Sequence, residues 1–136
     1  LEALTNGTID LIATDHAPHS REEKSRGLAG SLMGVVGLET AFPVLYTRLV
    51  LPGTVTLARL SQLMSAAPRR RFGLPGGYEA LDYTLWELDA ASSINPEEFL
   101  SMGRATPFAG WRVQGRNHLT VCRGRAVWQA TKGETI

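Results

Sequence analysis

The sequence contains very little cysteine, no long apolar run and almost no excess of either charge. Cys122 is the single cysteine among 136 residues, which excludes an internal disulfide framework and is typical of a reducing cytoplasm. The 14 basic and 13 acidic residues leave a formal net charge of +1, so we expect neither a nucleic acid nor a membrane surface as partner. No apolar run approaches the roughly 18 residues that a membrane-spanning helix requires. These absences predict a cytoplasmic protein whose ligand is a small molecule.

The chain is long and apolar enough to bury a core, and its opening predicts a fragment. A chain of 136 residues, 43% of them hydrophobic, suits one ordinary domain. It opens at Leu1 without an initiator Met and runs within a few residues into an apolar segment. We therefore expect that part of the protein precedes Leu1, and that this remainder is the first partner of the chain.

The apolar segment ends in a carboxylate that is followed by two imidazoles. Residues 9–13 read Ile-Asp-Leu-Ile-Ala, and Asp15, His16 and His19 come directly after them. Strands of α/β barrels are apolar along their length and place reactive side chains at their carboxyl ends. The pattern therefore predicts a buried strand that delivers Asp15 to an active site, although an Asp here can also cap the loop through backbone N–H groups. The His19 imidazole is suited both to ligating a metal and to donating a hydrogen bond to a substrate.

Local patterns beyond this segment indicate helices. Residues 16–33 form a polar, glycine-bearing loop, either a mobile flap over a pocket or a solvated surface loop. Apolar residues at helical spacing over 38–49 predict a helix with Pro43 in its first turn. Thr56 is placed to cap a second helix. Arg69–Arg71 lie near the end of that helix, where we expect their charges to interact with the helix dipole rather than to form an anion site.

The pattern changes after Pro75-Gly76-Gly77. Alternation of apolar and polar residues over 81–85 predicts a half-buried strand. Two further predicted strands, 119–122 and 125–128, are joined by Arg123-Gly124, where glycine permits positive φ. The sequence therefore predicts a domain boundary at this point, with a small β-rich appendage after it.

Seven sequence elements follow the order in which one known family carries them. Asp-His-Ala-Pro-His is the most specific, because it follows a predicted strand. The elements are Asp15–His19, Gly34–Thr40, Ala67-Pro68, Phe72–Leu74, Asn95–Phe99, Thr106–Trp111 and Thr120–Arg125. They extend over nearly the whole chain, which resembles the C-terminal region of the dihydroorotase family, class I bacterial type, in the amidohydrolase superfamily.

The resemblance implies an α/β fold that is only partly present in this chain. Residues 1–75 would be the C-terminal end of a metal-dependent hydrolase (β/α)8 barrel, a TIM barrel, contributing its last strand and helices. Residues 76–136 would be part of a small β-sandwich appendage, which strands from the N-terminal end complete in the family. A barrel of this type needs about 250 residues, so the chain alone would be an incomplete, inactive fragment.

The resemblance also implies a reaction, the zinc-dependent, reversible hydrolysis of the cyclic amide of (S)-dihydroorotate to N-carbamoyl-L-aspartate in de novo pyrimidine biosynthesis. A cyclic amide is a poor electrophile, and metal ions polarise its carbonyl and lower the pKa of bound water. Asp15 would ligate one of two Zn²⁺ ions, take a proton from the attacking hydroxide and give it to the departing ring nitrogen. The remaining metal ligands would lie outside this chain.

Three further residues match positions that contact substrate in the family. His19 matches the histidine that binds the substrate carboxylate, so the resemblance selects its donor role. Met33 and Gly34 match a pair that contacts substrate, and glycine permits close approach of backbone to ligand. Many relatives carry Phe where Met33 stands, so its side chain is equally suited to filling a core. His16 matches no functional residue and is expected to be structural.

Partners and alternatives complete the expectations. Besides the substrate and the N-terminal remainder, the resemblance allows a homodimer and an association with aspartate carbamoyltransferase. A catalytically silent dihydroorotase-like subunit with a structural role is one alternative, which Asp15 and His19 disfavour. A hydantoinase or allantoinase is another, disfavoured because a second histidine after Ala-Pro suits a substrate that bears a carboxylate.

Overall fold

The computed structural model describes residues 1–130, in which short helices precede a three-stranded antiparallel sheet. The helices are α1 Glu2–Thr5, α2 Arg21–Lys24, α3 Gly27–Gly30, α4 Ala41–Leu45, α5 Leu57–Ser61, α6 Ala67–Arg71 and α7 Gly77–Ala80. Two π-helical segments, Tyr46–Val50 and Gln62–Ala66, continue α4 and α5, and Pro96–Glu98 is a 3₁₀ turn. The strands are β1 Tyr83–Ser93, β2 Arg112–Cys122 and β3 Arg125–Gln129. Within these residues no helix has both the length and the apolar character needed to span a membrane.

The first predicted helix forms as α4 and its π-helical continuation. Pro43 is the third residue of α4, where its missing N–H would have no helical acceptor, so the prediction that it lies in the first turn is confirmed. Val44, Tyr46 and Leu49 are buried. Leu38 precedes the helix and is 62% exposed, so its inclusion in the apolar stripe was wrong.

The second predicted helix runs without interruption from α5 through Gln62–Ala66 to α6. The Thr56 side chain accepts a hydrogen bond from the Arg59 N–H at 3.1 Å, which confirms the predicted cap. Leu60 and Leu63 are fully buried on this helix. The two helices therefore present apolar faces to a common core.

The sheet has the order β1-β2-β3. Strand β1 pairs with β2 from Tyr83 opposite Val121 to Ser93 opposite Arg112. At the β2–β3 turn Arg123 and Gly124 both have positive φ, 51° and 74°, as a two-residue hairpin turn requires. Strands form at the three predicted places, and β1 and β2 extend further than the sequence pattern indicated. However, β1 begins only at Tyr83, and Leu81, Tyr83 and Leu85 are 58%, 52% and 48% exposed, so the prediction of a half-buried strand over 81–85 was wrong.

Helices and sheet share their core across α4. The rings of Phe42 and Trp86 stack with centroids 4.1 Å apart, and Val113 of β2 packs with Val44 and Ile94. At Gly115, with φ +95°, an added Cβ would lie 3.1 Å from Cε1 of Phe42. A glycine at this point of β2 lets helix and sheet approach closely.

The segment that the sequence predicted as a barrel strand forms no strand within residues 1–130. Residues 10–15 carry no regular secondary structure, and a single parallel bridge joins His16 to Val35. The Ile12 N–H donates to the Leu63 carbonyl at 3.0 Å, so the second helix holds this segment. A parallel strand requires a hydrogen-bonding neighbour on the same sheet, and the described part of the chain supplies no such neighbour here.

Candidate active site

Asp15 lies at a sharp change in backbone direction. Its φ is 47°, a left-handed conformation in which Asp is among the less disfavoured residues. The residue is exposed, and within residues 1–130 no hydrogen bond or ion pair engages its carboxylate. A carboxylate held at a special backbone conformation without a local partner is available to a metal, a substrate or a proton.

His16 fixes the loop that follows. Its Nδ1 accepts hydrogen bonds from the N–H groups of Gly37, at 3.1 Å, and Leu38, at 3.3 Å. Because Nδ1 accepts in both bonds, the imidazole proton is on Nε2. The Ala17 N–H donates to the Val35 carbonyl at 2.9 Å, so three hydrogen bonds join the Asp-His-Ala turn to residues 35–38. The contacts of His16 are those of a structural residue.

His19 contacts the backbone of Met33 directly. Its Nε2 lies 2.9 Å from the Met33 carbonyl oxygen, and since a carbonyl only accepts, this nitrogen carries the proton. Nδ1 is 3.9 Å from Oε2 of Glu23. A neutral imidazole has one N–H, so the ring in this arrangement can serve a second acceptor only as an imidazolium or by leaving Met33.

Met33 and Gly34 present backbone, not side chain, to this loop. The Met33 side chain is 91% exposed and has no role as core filler within the described residues. Gly34 has φ +118°, and a Cβ there would overlap the Cβ of Ala17. Only glycine fits this position, because both the dihedral angle and the space exclude a side chain.

The structure therefore brings His19, Met33 and Gly34 together, whereas the carboxylate of Asp15 forms no hydrogen bond with them. His19 and Gly34 are 15 positions apart in the sequence. The contact between His19 and Met33 joins the two ends of the 16–33 loop. The loop itself contains α2 and α3, which the sequence analysis did not predict.

A second layer of residues supports the site, and the sequence analysis gave it no role. The Glu39 carboxylate accepts from the N–H groups of Leu100, at 2.8 Å, and Ser101, at 3.0 Å. Buried Gly103 packs so closely that an added Cβ would lie 2.7 Å from Cα of Pro18. The 100–103 segment thus lies against the Ala-Pro-His turn. Glu39 was the one residue of this group that the sequence could have pointed to, because it is a carboxylate within the Gly34–Thr40 element.

Hydrogen bonds from Ser20, at the start of α2, favour the ionised form of Glu23. The Ser20 N–H, and then its hydroxyl, hold the pKa of the Glu23 carboxyl below its ordinary value of 4.5. Ser20 and Glu23 form a reciprocal capping box at the start of α2. Glu23 therefore places negative charge on the Nδ1 side of the His19 ring, with its Oε2 3.9 Å from that nitrogen.

Metal ligands are sparse in this part of the chain. Among residues 1–130 no three His, Cys, Asp or Glu side chains lie together in a group that could hold a metal ion. Two surface cavities of about 440 and 560 Å³ lie elsewhere, one beside Arg59 and Arg70 and one beside Arg69 and Asp82. Asp15 can supply one oxygen ligand, but a zinc site needs at least three protein ligands.

Comparisons with known proteins identify relatives in both sequence and structure. The sequence is 47% identical over 133 residues to dihydroorotase of Bacillus cytotoxicus, covering 95% of this chain and 31% of that protein, and 46% identical to dihydroorotase of Bacillus thuringiensis. The structure matches L-hydantoinase (dihydropyrimidinase) of Arthrobacter aurescens with a TM-score of 0.82 and 34% identity, over 99% of this chain and 32% of that one. D-hydantoinase of a Thermus species shares the fold, with a TM-score of 0.82 at 23% identity. No family model matches.

The chain thus shares its fold with a part of the solved L-hydantoinase. In sequence the chain is similar to dihydroorotases, and it spans about 31% of the length of the curated relatives that it matches. The family resemblance read from the motifs is confirmed.

Proposed function

We propose that this chain is the C-terminal part of a dihydroorotase, in which residues 1–75 complete a metal-dependent barrel and residues 76–136 belong to a β-rich appendage. The 47% identity to dihydroorotase over nearly the whole chain supports the family assignment. The observation that carries the site assignment is the contact between His19 and Met33. It joins two segments that the resemblance assigns to one substrate-binding site.

In the complete enzyme, residues 9–15 form the last barrel strand, paired with strands from the rest of the protein. The exposed, partnerless carboxylate of Asp15 fits a ligand position at the carboxyl end of that strand. Two Zn²⁺ ions, when bound, would polarise the ring carbonyl and acidify water. Their other ligands come from the remainder of the enzyme, since the described residues supply no ligand group.

Asp15 moves the proton of the reaction. It takes a proton from the attacking hydroxide as the carbon–oxygen bond forms, and it gives that proton to the ring nitrogen as the amide bond breaks. His19 donates a hydrogen bond to the substrate carboxylate through a protonated Nδ1 while its Nε2 stays on the Met33 carbonyl. The backbone at Met33 and Gly34 lines the same pocket. The product is N-carbamoyl-L-aspartate, and the same groups serve the reverse reaction.

The likeness to L-hydantoinase supports a second candidate, hydrolysis of a cyclic amide that lacks the carboxylate. The two candidates differ in the role of His19: only dihydroorotate has a carboxylate that His19 can bind. A comparison of dihydroorotate with hydantoin and dihydrouracil therefore separates them. A dihydroorotase converts the first far faster than the other two.

The test uses the full-length protein that contains this chain, loaded with zinc, and a colorimetric assay for the ureido product. We expect turnover of dihydroorotate, and a fall in kcat of about 10²- to 10⁴-fold for Asp15→Asn, the contribution typical of a general acid–base group. Asp10→Asn is the matched control, because it removes an exposed carboxylate from the same segment. Preference for hydantoin would favour the second candidate, and no turnover of any substrate would favour a silent subunit.

A further inference from the structure

Lys24 differs from the other cations of the loop in what it contacts. Arg21 pairs with the Glu97 carboxylate at 2.9 Å, and Arg26 pairs with Glu22 at 3.7 Å. The Lys24 ammonium instead donates to two backbone carbonyl oxygens, at 2.8 Å on Leu32 and 3.0 Å on Gly34. Its side chain is therefore directed at the backbone of the candidate site rather than at a surface carboxylate.

Two more bonds join the end of α2 to the same stretch. The Leu32 N–H donates to the Glu23 carbonyl at 3.2 Å, and the Ser31 hydroxyl donates to the Lys24 carbonyl at 2.9 Å. Helix α2 has only four residues, and a helix this short is not stable without such contacts. The end of α2 and residues 31–34 thus form one hydrogen-bonded unit.

The position of Lys24 in this unit matters because of the residues between its two acceptors. The carbonyls of Leu32, Met33 and Gly34 are consecutive; Lys24 holds the first and the third, and His19 holds the second. Glycine has the broadest backbone freedom of any residue. Without a donor on either side, Gly34 would sample conformations in which the Met33 carbonyl no longer faces His19.

We infer that Lys24 is a positioning residue for substrate binding, which sets the backbone of Met33 and Gly34 and, through the Met33 carbonyl, the ring of His19. The inference rests on the proposed function, since it takes His19, Met33 and Gly34 as the substrate-binding group. Lys24 needs no contact with substrate in this role. Its effect passes through two backbone hydrogen bonds from a charged donor, which are among the stronger kind in proteins.

The kinetic test compares Lys24→Met, Lys24→Arg and Arg26→Met in the full-length, zinc-loaded protein. We expect Lys24→Met to raise KM for dihydroorotate by about tenfold or more, which corresponds to at least about 1.4 kcal/mol, with kcat and metal content little changed. Lys24→Arg should recover most of the loss, because its guanidinium can donate to two oxygens. Arg26→Met removes a neighbouring cation and should leave KM unchanged.

A second measurement reads the backbone directly and does not depend on activity. Amide hydrogen exchange over residues 32–36 should be faster in Lys24→Met than in the wild type, and unchanged in Arg26→Met. Unchanged exchange, or a KM for Lys24→Met equal to that of Arg26→Met, overturns the inference. A fall in kcat at constant KM also overturns it. If the wild-type protein does not turn over dihydroorotate, the proposed function is contradicted instead. The hydrogen-exchange comparison then still shows whether Lys24 orders this backbone.

Discussion

At the scale of single residues, the candidate site depends on backbone groups held by side chains. Asp15 adopts a left-handed φ of 47°, which exposes its carboxylate. His16 holds two N–H groups of the next segment, and His19 holds one of its carbonyls. The His16 ring accepts through Nδ1 and the His19 ring donates through Nε2, so different partners fix the tautomer of each ring. Substitution of either histidine therefore removes a defined set of bonds.

His19→Ala in the full-length enzyme should raise KM and leave metal content at two per site. A lost charge-assisted hydrogen bond costs on the order of 1.5 to 3 kcal/mol in kcat/KM. Kinetics and metal analysis on the same sample check this expectation. A substrate analogue without the carboxylate is the control, because it has no partner to lose. Equal losses on both substrates would contradict the donor role, and loss of one zinc would make His19 a ligand.

At the scale of elements, one charged cluster joins the helical part to the sheet. Arg69 of α6 donates to the Asp82 carboxylate at 3.1 Å and to the Pro75 carbonyl at 2.7 Å. The Arg123 N–H, in the β2–β3 turn, donates to the other oxygen of Asp82 at 2.8 Å. Arg69 therefore has specific partners, beyond the helix-dipole role that the sequence indicated. Asp82 connects α6 to the start of β1 and to the hairpin turn.

This cluster predicts a contribution to stability that depends on pH. The Arg123 N–H first, and Arg69 second, hold the pKa of the Asp82 carboxyl below its ordinary value of 3.8. A carboxyl whose pKa is lower in the folded state stabilises the fold above its unfolded pKa, and the effect is lost as pH falls through the folded pKa. Asp82→Asn should therefore lose less stability than the wild type as the pH falls below about 4 and through the lowered pKa of Asp82.

Thermal unfolding midpoints of wild type and Asp82→Asn across this pH range provide the measurement. Asp89→Asn, at an exposed position of β1, is the matched control because it removes the same charge from the strand that follows Asp82. Its acid profile should follow that of the wild type. Parallel profiles for Asp82→Asn and wild type would show that the cluster adds nothing to stability at neutral pH.

At the scale of the whole molecule, several large apolar side chains around the candidate site are exposed. Leu28, Met33, Leu38, Leu100 and Met102 are each more than 60% exposed. Exposed apolar surface of this kind is typical of faces that contact other protein. The chain spans about 31% of its dihydroorotase relatives, and we propose that this surface meets the remainder of the enzyme.

The isolated 136-residue chain should accordingly show no dihydroorotase turnover and no tight binding of two zinc ions. One carboxylate at the site cannot close a metal coordination shell, and the described residues hold no ligand group. Zinc titration calorimetry and the ureido assay check both statements, with the full-length protein as the positive control. Zinc-dependent turnover by the isolated chain would contradict the assignment of the other ligands to the rest of the enzyme.

Several features of the fold were predictable because they depend on neighbours in the sequence. Thr56 caps its helix through a residue three positions away, and Pro43 fits a first turn for steric reasons. The β2–β3 turn follows from Arg123-Gly124. The grouping of Asp15, His19, Met33 and Gly34 came from the family resemblance, since no local pattern joins residues so far apart.

What the sequence alone determined, then, are the helix cap at Thr56, the β2–β3 turn and the location of the hairpin strands, whose energies arise within a few residues. Only the tertiary structure decided that residues 10–15 lack a strand here, that Lys24 and His19 hold three consecutive carbonyls, and that Glu39 binds residues 100–101. Those features require partners brought close by the whole fold. A strand segment without neighbouring strands and a loop without its hydrogen-bond donors have no preferred conformation. Composition and periodicity therefore could not predict these three features.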